Sequence, residues 1–336
     1  MRFALKPGHV VLLLFFIAAA LLPLFVDPRG HLLRVAAMAL LFAAMAQSWN
    51  IVGGLANQIS LGHAAFFGLG AYTSTLLFLR LGISPWIGML AGAVVAGIAA
   101  ALLSVPTFRL KGHYFALATL AFAEVLRVIA NSWADLSGGP VGLTVPFLGT
   151  QPLSFAFRAV SSYYWIILAL LVIVCVVFYV LAHGAMGYRL RAVRENEAAA
   201  EVAGVNTFRV KLMASVISAA LTAMCGTVFA QFTFFFDPDS IFSLSGISVR
   251  MAMIAIVGGL GTLGGPIIGA LFLIPLEEVA NAYLSSRAAG LSQLVFGLIL
   301  IAAILIQPRG IMAFFPKTKG KTAPTKAQPA TEGARG

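Results

Sequence analysis

A helix needs about 20 consecutive apolar residues to cross the roughly 30 Å hydrocarbon core of a bilayer. This chain holds ten runs near that length, at 10–26, 33–52, 58–80, 86–105, 113–131, 162–182, 212–235, 247–260, 265–284 and 290–306. Runs this continuous point to helices, because the strands of a membrane barrel would alternate polar and apolar residues. Composition agrees: 60% of the 336 residues are hydrophobic and 10% charged, against roughly 25% charged in soluble domains. The expected fold is an all-α integral membrane protein of about ten transmembrane helices, some short enough to be broken or re-entrant. Arg2 and Lys6 ahead of the first run resemble the start of a signal peptide. No small-residue cleavage site follows, Phe25, Val26 and Asp27 standing there instead, so the run reads as an uncleaved helix.

The net charge of +11 invites a nucleic-acid reading, but its distribution argues otherwise. With the N-terminus inside and the spans alternating, the inner segments hold fifteen of the 22 basic residues and four of the 11 acidic ones. Arg109, Lys111, the cluster from Arg189 to Lys211 and the tail from Lys317 supply most of that inner charge. The outer segments and outer helix ends hold seven basic residues, Arg34 and Arg250 among them, and seven acidic ones. The whole excess lies on one side, which is the positive-inside pattern, with both termini inside. The chain divides into a membrane domain, 1–316, containing a cytoplasmic loop at 187–211, and a basic tail, 317–336, whose Lys, Thr, Ala and Pro composition predicts disorder. Within the tail, Gly320-Lys321-Thr322 is not a P-loop: the glycine required five residues earlier is Phe315 and no strand precedes it. The chain is expected to bind no ATP of its own.

Few residues suit chemistry. Cys175 and Cys225 lie isolated in apolar runs and fit core packing. The five histidines are scattered, so neither a metal nor a cofactor is expected. No nucleophile–base or paired-carboxylate arrangement appears, so no catalytic residue is expected. Glu124 and Arg127, three apart on one helix, are placed to pair. No mid-membrane acidic or histidine relay of the kind a proton-coupled carrier uses stands out.

Two glycine-rich segments, Gly53 to Gly70 and Gly258 to Gly269, fall at or near the second helix of two four-helix sets, spans two to five and seven to ten. Those sets run in opposite directions, so an inverted repeat with glycine-interrupted helices is expected, the pattern that marks a transporter's central pathway. Gly258, Gly259 and Gly261 belong to that candidate pathway. The plainer reading is tight packing, since Gly261, Gly265 and Gly269 are spaced as small-xxx-small motifs. In the first segment Asn57, Gln58 and Ser60 precede His63. An unwound helix start here would expose N–H groups able to attract a carboxylate; His63 itself reads first as a hydrogen-bonded packing residue. The charged stretch 189–211 contains a short polar helix, Glu195 to Ala203, rich in Ala and Glu, with Gly204 as its stop. It is either a solvated loop or a docking element for a partner that supplies energy.

Six motifs carry a resemblance: ANQISLGHAAFFGLGAYTS (56–74), KGHYFALATLAFAEVLR (111–127), LSGGPVGL (136–143), GYRLRAVRENEAAAEVAGVNTFRVKLMASVISA (187–219), IVGGLGTLGGPIIGA (256–270) and QPRGI (307–311). Together, from about 35 to 315, the chain resembles the branched-chain amino acid ABC transporter permeases, the LivM-type subunit. The resemblance implies a bacterial inner-membrane importer subunit with no enzymatic activity. Its implied partners are a LivH-type permease, two cytoplasmic ATPase subunits and a periplasmic binding protein. It also implies an ATPase-coupling loop in which Glu197, Ala198, Ala199 and Gly204 match the EAA-type motif, with Arg191, Arg194, Glu195 and Glu201 around them. Four residues, Ala200 to Ala203, separate Ala199 from Gly204, one more than in the commonest EAA pattern. Urea permeases carry similar motifs, so a urea or other small-solute permease is the alternative. A free-standing channel or carrier is a further one, which would have no use for an ordered, arginine-flanked Ala/Glu helix.

Overall fold

The computed structural model describes residues 7–284 except 29, 109, 111 and 148, together with 290, 291, 294, 295, 297, 298, 301, 305 and 310–314. Among the described residues eight helices are long and apolar enough to cross a membrane, and one shorter apolar helix, Leu12–Phe25, precedes them. The run at 290–306 falls largely outside the described residues. Arg2, Lys6, Arg109, Lys111, the motif at 307–309 and the tail from Lys317 fall outside them altogether.

The membrane helices are α1 (Pro7–Phe25), α2 (His31–Asn50), α3 (His63–Leu81), α4 (Pro85–Thr107), α5 (His113–Ser132), α7 (Val160–His183), α10 (Thr207–Thr233), α12 (Arg250–Gly258) and α13 (Gly265–Leu284). Shorter helices join them: α6 (Ala134–Ser137), α8 (Ala185–Glu195), α9 (Glu197–Val202) and α11 (Pro238–Ile241). Their limits have local causes. Helix α3 stops at Gly82, whose φ of +65° is the left-handed conformation that glycine adopts without cost. Ser84 then caps α4 by accepting from the Trp86 amide, with Pro85 in the first turn. Helix α2 runs on into a π-helical turn, Ile51–Leu55, and a second π-helical turn, Leu244–Val249, leads into α12. Such turns within helices are frequent at functional sites.

The span drawn from the sequence at 58–80 therefore begins later, at His63. Residues 56–62 are irregular, and Asn57 sits at a φ of +54°. The span drawn at 247–260 begins earlier, at Pro238, because α11 and the π-helical turn extend it.

Packing is reciprocal. Helix α2 lies against α12 and α13, while α10 lies against α3 and α4; α3 pairs with α4 and α12 with α13. The first helix of each set thus packs on the second and third helices of the other, as two oppositely directed sets would. Trp49, Phe67, Phe178 and Met45 fill the core between them. Helix α1 joins the bundle through α7, where the Tyr164 hydroxyl donates to Ala19 O at 2.7 Å.

At one end the described residues of 133–159 are ordered by turns. Gly138 and Gly142 take φ of +75° and +76°. Strand β1 (Leu143–Thr144) pairs antiparallel with β2 (Phe235–Phe236). On the same end Arg127 pairs with Glu124, as its spacing predicts, and reaches Asp239, to which the Asn131 side-chain amide also donates at 3.0 Å. The opposite end carries the loop 184–206.

Candidate functional site

Both glycine-rich segments meet beside that loop. The Asn50 side chain donates to Thr262 O at 3.0 Å and accepts from the Gly261 amide at 2.8 Å. It pins the end of α2 to the α12–α13 turn. A side chain at Gly54 would overlap Asn50 and the Gly261 nitrogen, so the two backbones approach this closely because Gly54 lacks a Cβ. Gly259 and Gly261 take φ of +127° and +70°. The packing stripe drawn through Gly261, Gly265 and Gly269 is corrected at its first member: Gly261 lies in the turn. Gly258, Gly265 and Gly269 make the close α12–α13 crossing, each Cβ position falling on backbone of the opposite helix or turn.

A second network lies on the other side of the π-helical turn. Ser218 donates to Ser48 O at 2.7 Å, so its oxygen is free to accept from His63 Nε2 at 2.9 Å. His63 Nδ1 then accepts from the Ser60 hydroxyl at 3.0 Å. One donor and one acceptor describe a neutral imidazole with both nitrogens satisfied. The ring is 2% exposed and ties α3 to α10 and, through Ser218, to α2, as its packing reading anticipates. Ser60, itself buried, also accepts the Trp49 indole N–H at its carbonyl, 2.7 Å away. Gln58 is half-buried, and its Oε1 has no hydrogen-bond partner among the described residues.

Three of the N–H groups around this helix start are taken up within the chain. Leu61 N–H donates to Thr119 Oγ1 at 3.0 Å, Ala64 N–H to Ser248 Oγ at 2.8 Å, and Ala65 N–H to Gly62 O at 3.0 Å.

The charged stretch is two helices, not one. Helix α8 ends at Glu195, and Asn196 breaks the run because its side chain caps α9, accepting from the Ala199 amide at 3.1 Å. Gly204, at a φ of +83°, ends α9, and its amide donates to Glu201 O at 2.9 Å. The residues singled out from the sequence divide into two groups. Glu197 pairs with Lys211, which is only 5% exposed, and Glu201 accepts from Thr207 Oγ1 at 2.6 Å; both brace α9 on the first turn of α10. Arg191 donates to Ala182 O at 2.9 Å. Arg194 reaches furthest, donating to Gly54 O at 3.0 Å inside the glycine junction. Glu195, Ala198, Ala199 and Gly204 are left exposed, together with Val202 at 92%. Residues 198, 199 and 202 fall on one face of α9.

Sequence reading missed three residues here. Asn50 looks like any polar residue ending an apolar run, and its partners lie more than 200 residues away. Arg250 and Glu277 form an ion pair, each less than a third exposed, within the spans Pro238–Gly258 and Gly265–Tyr283. The signal was a charge inside each apolar run. Starting the eighth span at 247 left Arg250 near a helix end instead.

Membrane-length helices, reciprocal packing of two sets and a braced polar loop at one end define an all-α multi-pass membrane protein built on broken helices. The chain belongs to the branched-chain amino acid transport system / permease component family, whose model matches residues 31–304. It is 27% identical to the high-affinity branched-chain amino acid transport system permease protein LivM of Salmonella typhimurium (strain LT2), over 91% of this chain and 76% of that protein. The figures are the same for LivM of Escherichia coli (strain K12). The permease protein LivH of Salmonella typhimurium (strain LT2) is 26% identical over 81% of this chain and 91% of its own length. No solved structure matches.

Proposed function

We propose that this chain is one permease of an ATP-driven importer for branched-chain or other apolar amino acids in a bacterial inner membrane. It works by alternating access beside a LivH-type permease. Of the importer's two cytoplasmic ATPase subunits one docks on the α8–α9 loop of this chain, and a periplasmic binding protein delivers substrate to the opposite face. The observation that carries this reading is the division of labour in the loop. Ala198, Ala199 and Val202 are exposed apolar residues on a helix that Lys211 and Thr207 hold in place. A partner gains hydrophobic burial there without paying to order the loop. Arg194 then links the loop to the junction of the two glycine-rich segments. The family and the names of its relatives supply the substrate class.

Val202→Glu places a charge at the centre of that apolar face while touching nothing within the chain. ATPase co-purifying with the tagged chain should fall at least tenfold and leucine uptake with it, while the chain inserts in the membrane at its usual level. Undiminished co-purification would defeat the docking assignment. Uptake of labelled leucine, challenged in turn with urea and with other amino acids, tests the substrate: urea carried in place of leucine would establish the small-solute alternative.

A further inference from the structure

The partly buried Arg250–Glu277 ion pair lies beside a cavity of about 320 Å³ between α2, the end of α10, α12 and α13. That volume is at the lower end of small-molecule sites, roughly 300–1,000 Å³. Arg250 stands eight residues before Gly258 and Glu277 twelve after Gly265, so they lie roughly 12 and 18 Å along their helices from the glycine-junction end. Both therefore stand inside the apolar spans Pro238–Gly258 and Gly265–Tyr283, away from their ends. Charge at that depth is expensive and is retained where it handles a ligand or an ion.

The groups around the cavity are complementary in kind. Arg250 pairs with Glu277 and lies over the Phe42 ring, 4.9 Å from its centroid. Arg34 points its guanidinium over Phe232 at 5.6 Å and has no carboxylate partner among the described residues. At the rim Glu278 lies 3.4 Å from His31 Nε2. The remaining walls used here, Met38, Phe42 and Ile274, are apolar. One unpaired cation, two carboxylates and apolar walls match a molecule bearing a carboxylate, an ammonium and a hydrocarbon group.

We propose that this cavity binds the zwitterion of an apolar α-amino acid, Arg34 and Arg250 taking the carboxylate, Glu277 and Glu278 the ammonium, and Met38, Phe42 and Ile274 the side chain. The assignment rests on the importer reading and gives it a substrate position within this chain. Arg250 keeps guanidinium donors beyond the one bonded to Glu277, and an arginine fork suits a planar carboxylate. A ligand that enters beside the pair joins it to Arg34 without leaving either charge bare. The cavity shares α2, α12 and α13 with the glycine junction at their other end, so movement of that junction alters the distance between Arg34 on α2 and the pair on α12 and α13.

The test uses the intact transporter in membranes. Asn281→Cys, at the exposed rim, is alkylated by an impermeant maleimide; native Cys175 and Cys225 are buried. Leucine should slow the reaction. 4-Methylpentanoate, which lacks the ammonium, and isopentylamine, which lacks the carboxylate, should need at least tenfold higher concentrations. Arg34→Gln should raise the protecting leucine concentration at least tenfold and Arg34→Lys should restore part of it; Met38→Trp, which fills the cavity, should abolish protection. Equal protection by all three compounds, or none by any, overturns the site. So does unchanged leucine uptake in Arg34→Gln and Met38→Trp, which leaves the importer reading standing. A wild-type transporter that moves no α-amino acid overturns the importer reading and the site with it. The double variant Arg250→Met/Glu277→Met removes both charges together and avoids an orphaned one; protection and uptake retained there would make the pair a structural tie only.

Discussion

Gly226→Val should leave almost no monodisperse protein after detergent extraction, whereas Gly97→Ala should be extracted at the wild-type level. At Gly226 a Cβ would fall on the carbonyl of Phe67, and at Gly70 on the carbonyl of Ala223. Helices α3 and α10 therefore touch backbone to backbone at two levels one turn apart, and the Thr227 hydroxyl donates across the contact to Gly70 O at 3.0 Å. Neither carbonyl can swing aside as a side-chain end would. The helices must separate, which breaks that bond and opens the α3–α4–α10 packing. Overpacking a well-filled core costs about 1–3 kcal/mol, and displacing two helix backbones lies at or above the top of that range. At Gly97 the nearest atom to a new Cβ is a Val216 methyl at 3.4 Å, an ordinary contact. Size-exclusion profiles of the two variants check this directly, and equal profiles would show that the crossing is looser than its glycines indicate.

That contrast marks what sequence can and cannot say about such a chain. Apolar runs set the helices because a bilayer leaves the backbone no other way to satisfy its N–H and C=O groups. The charge pattern likewise grouped 187–211 on one face. The glycines at 53–70 and 258–269 were visible as places where helices break or crowd. Which glycine does which was not. Gly261 and Gly265 are four apart and look alike, yet one takes a left-handed turn while the other lies against backbone. That difference arises only when Asn50 arrives from another helix. The charged stretch shows the same limit. Its composition points to one short helix, Glu195 to Ala203, whereas Asn196 divides the stretch by capping α9. Whether Glu197 faces solvent or Lys211 depends on where α10 begins. For the candidate ligand site, Arg250 and Glu277 each looked like an isolated charge near an outer helix end, because their pairing spans two helices and a π-helical turn that no periodicity announces.

The same geometry separates docking from transmission, which the family motif alone cannot do. In the EAA-like stretch, Glu197 and Glu201 are tied to Lys211 and Thr207 at the start of α10, while Ala198, Ala199 and Val202 are exposed and make no such tie. If an ATPase docks at Val202 as proposed, force would pass through α9 to the start of α10 by way of Lys211 and Thr207, and through α8 to the glycine junction by way of Arg194. The first route would move α10 and with it α3 and α4. The second would act where α2 meets the α12–α13 turn, and so on the relation between the two helix sets.

Arg194→Gln is accordingly expected to uncouple the machine without dismantling it. The guanidinium donates to Gly54 O, and a hydrogen bond from a charged group contributes about 1.5–3 kcal/mol. Glutamine is too short to reach the same oxygen from α8. The exposed face of α9 does not include Arg194, so ATPase should co-purify in wild-type amount and ATP hydrolysis should continue. Leucine uptake should fall at least tenfold, because the junction no longer follows the loop. The Val202→Glu variant should lose both association and uptake, so the pair of measurements distinguishes the two roles. Arg194→Lys, with a positive charge on a shorter, single-headed donor, should recover part of the uptake. If Arg194→Gln transports normally, the arginine only packs the loop, and transmission runs through α10 alone. If it loses the ATPase together with uptake, α8 belongs to the docking surface and the division between face and strut must be redrawn.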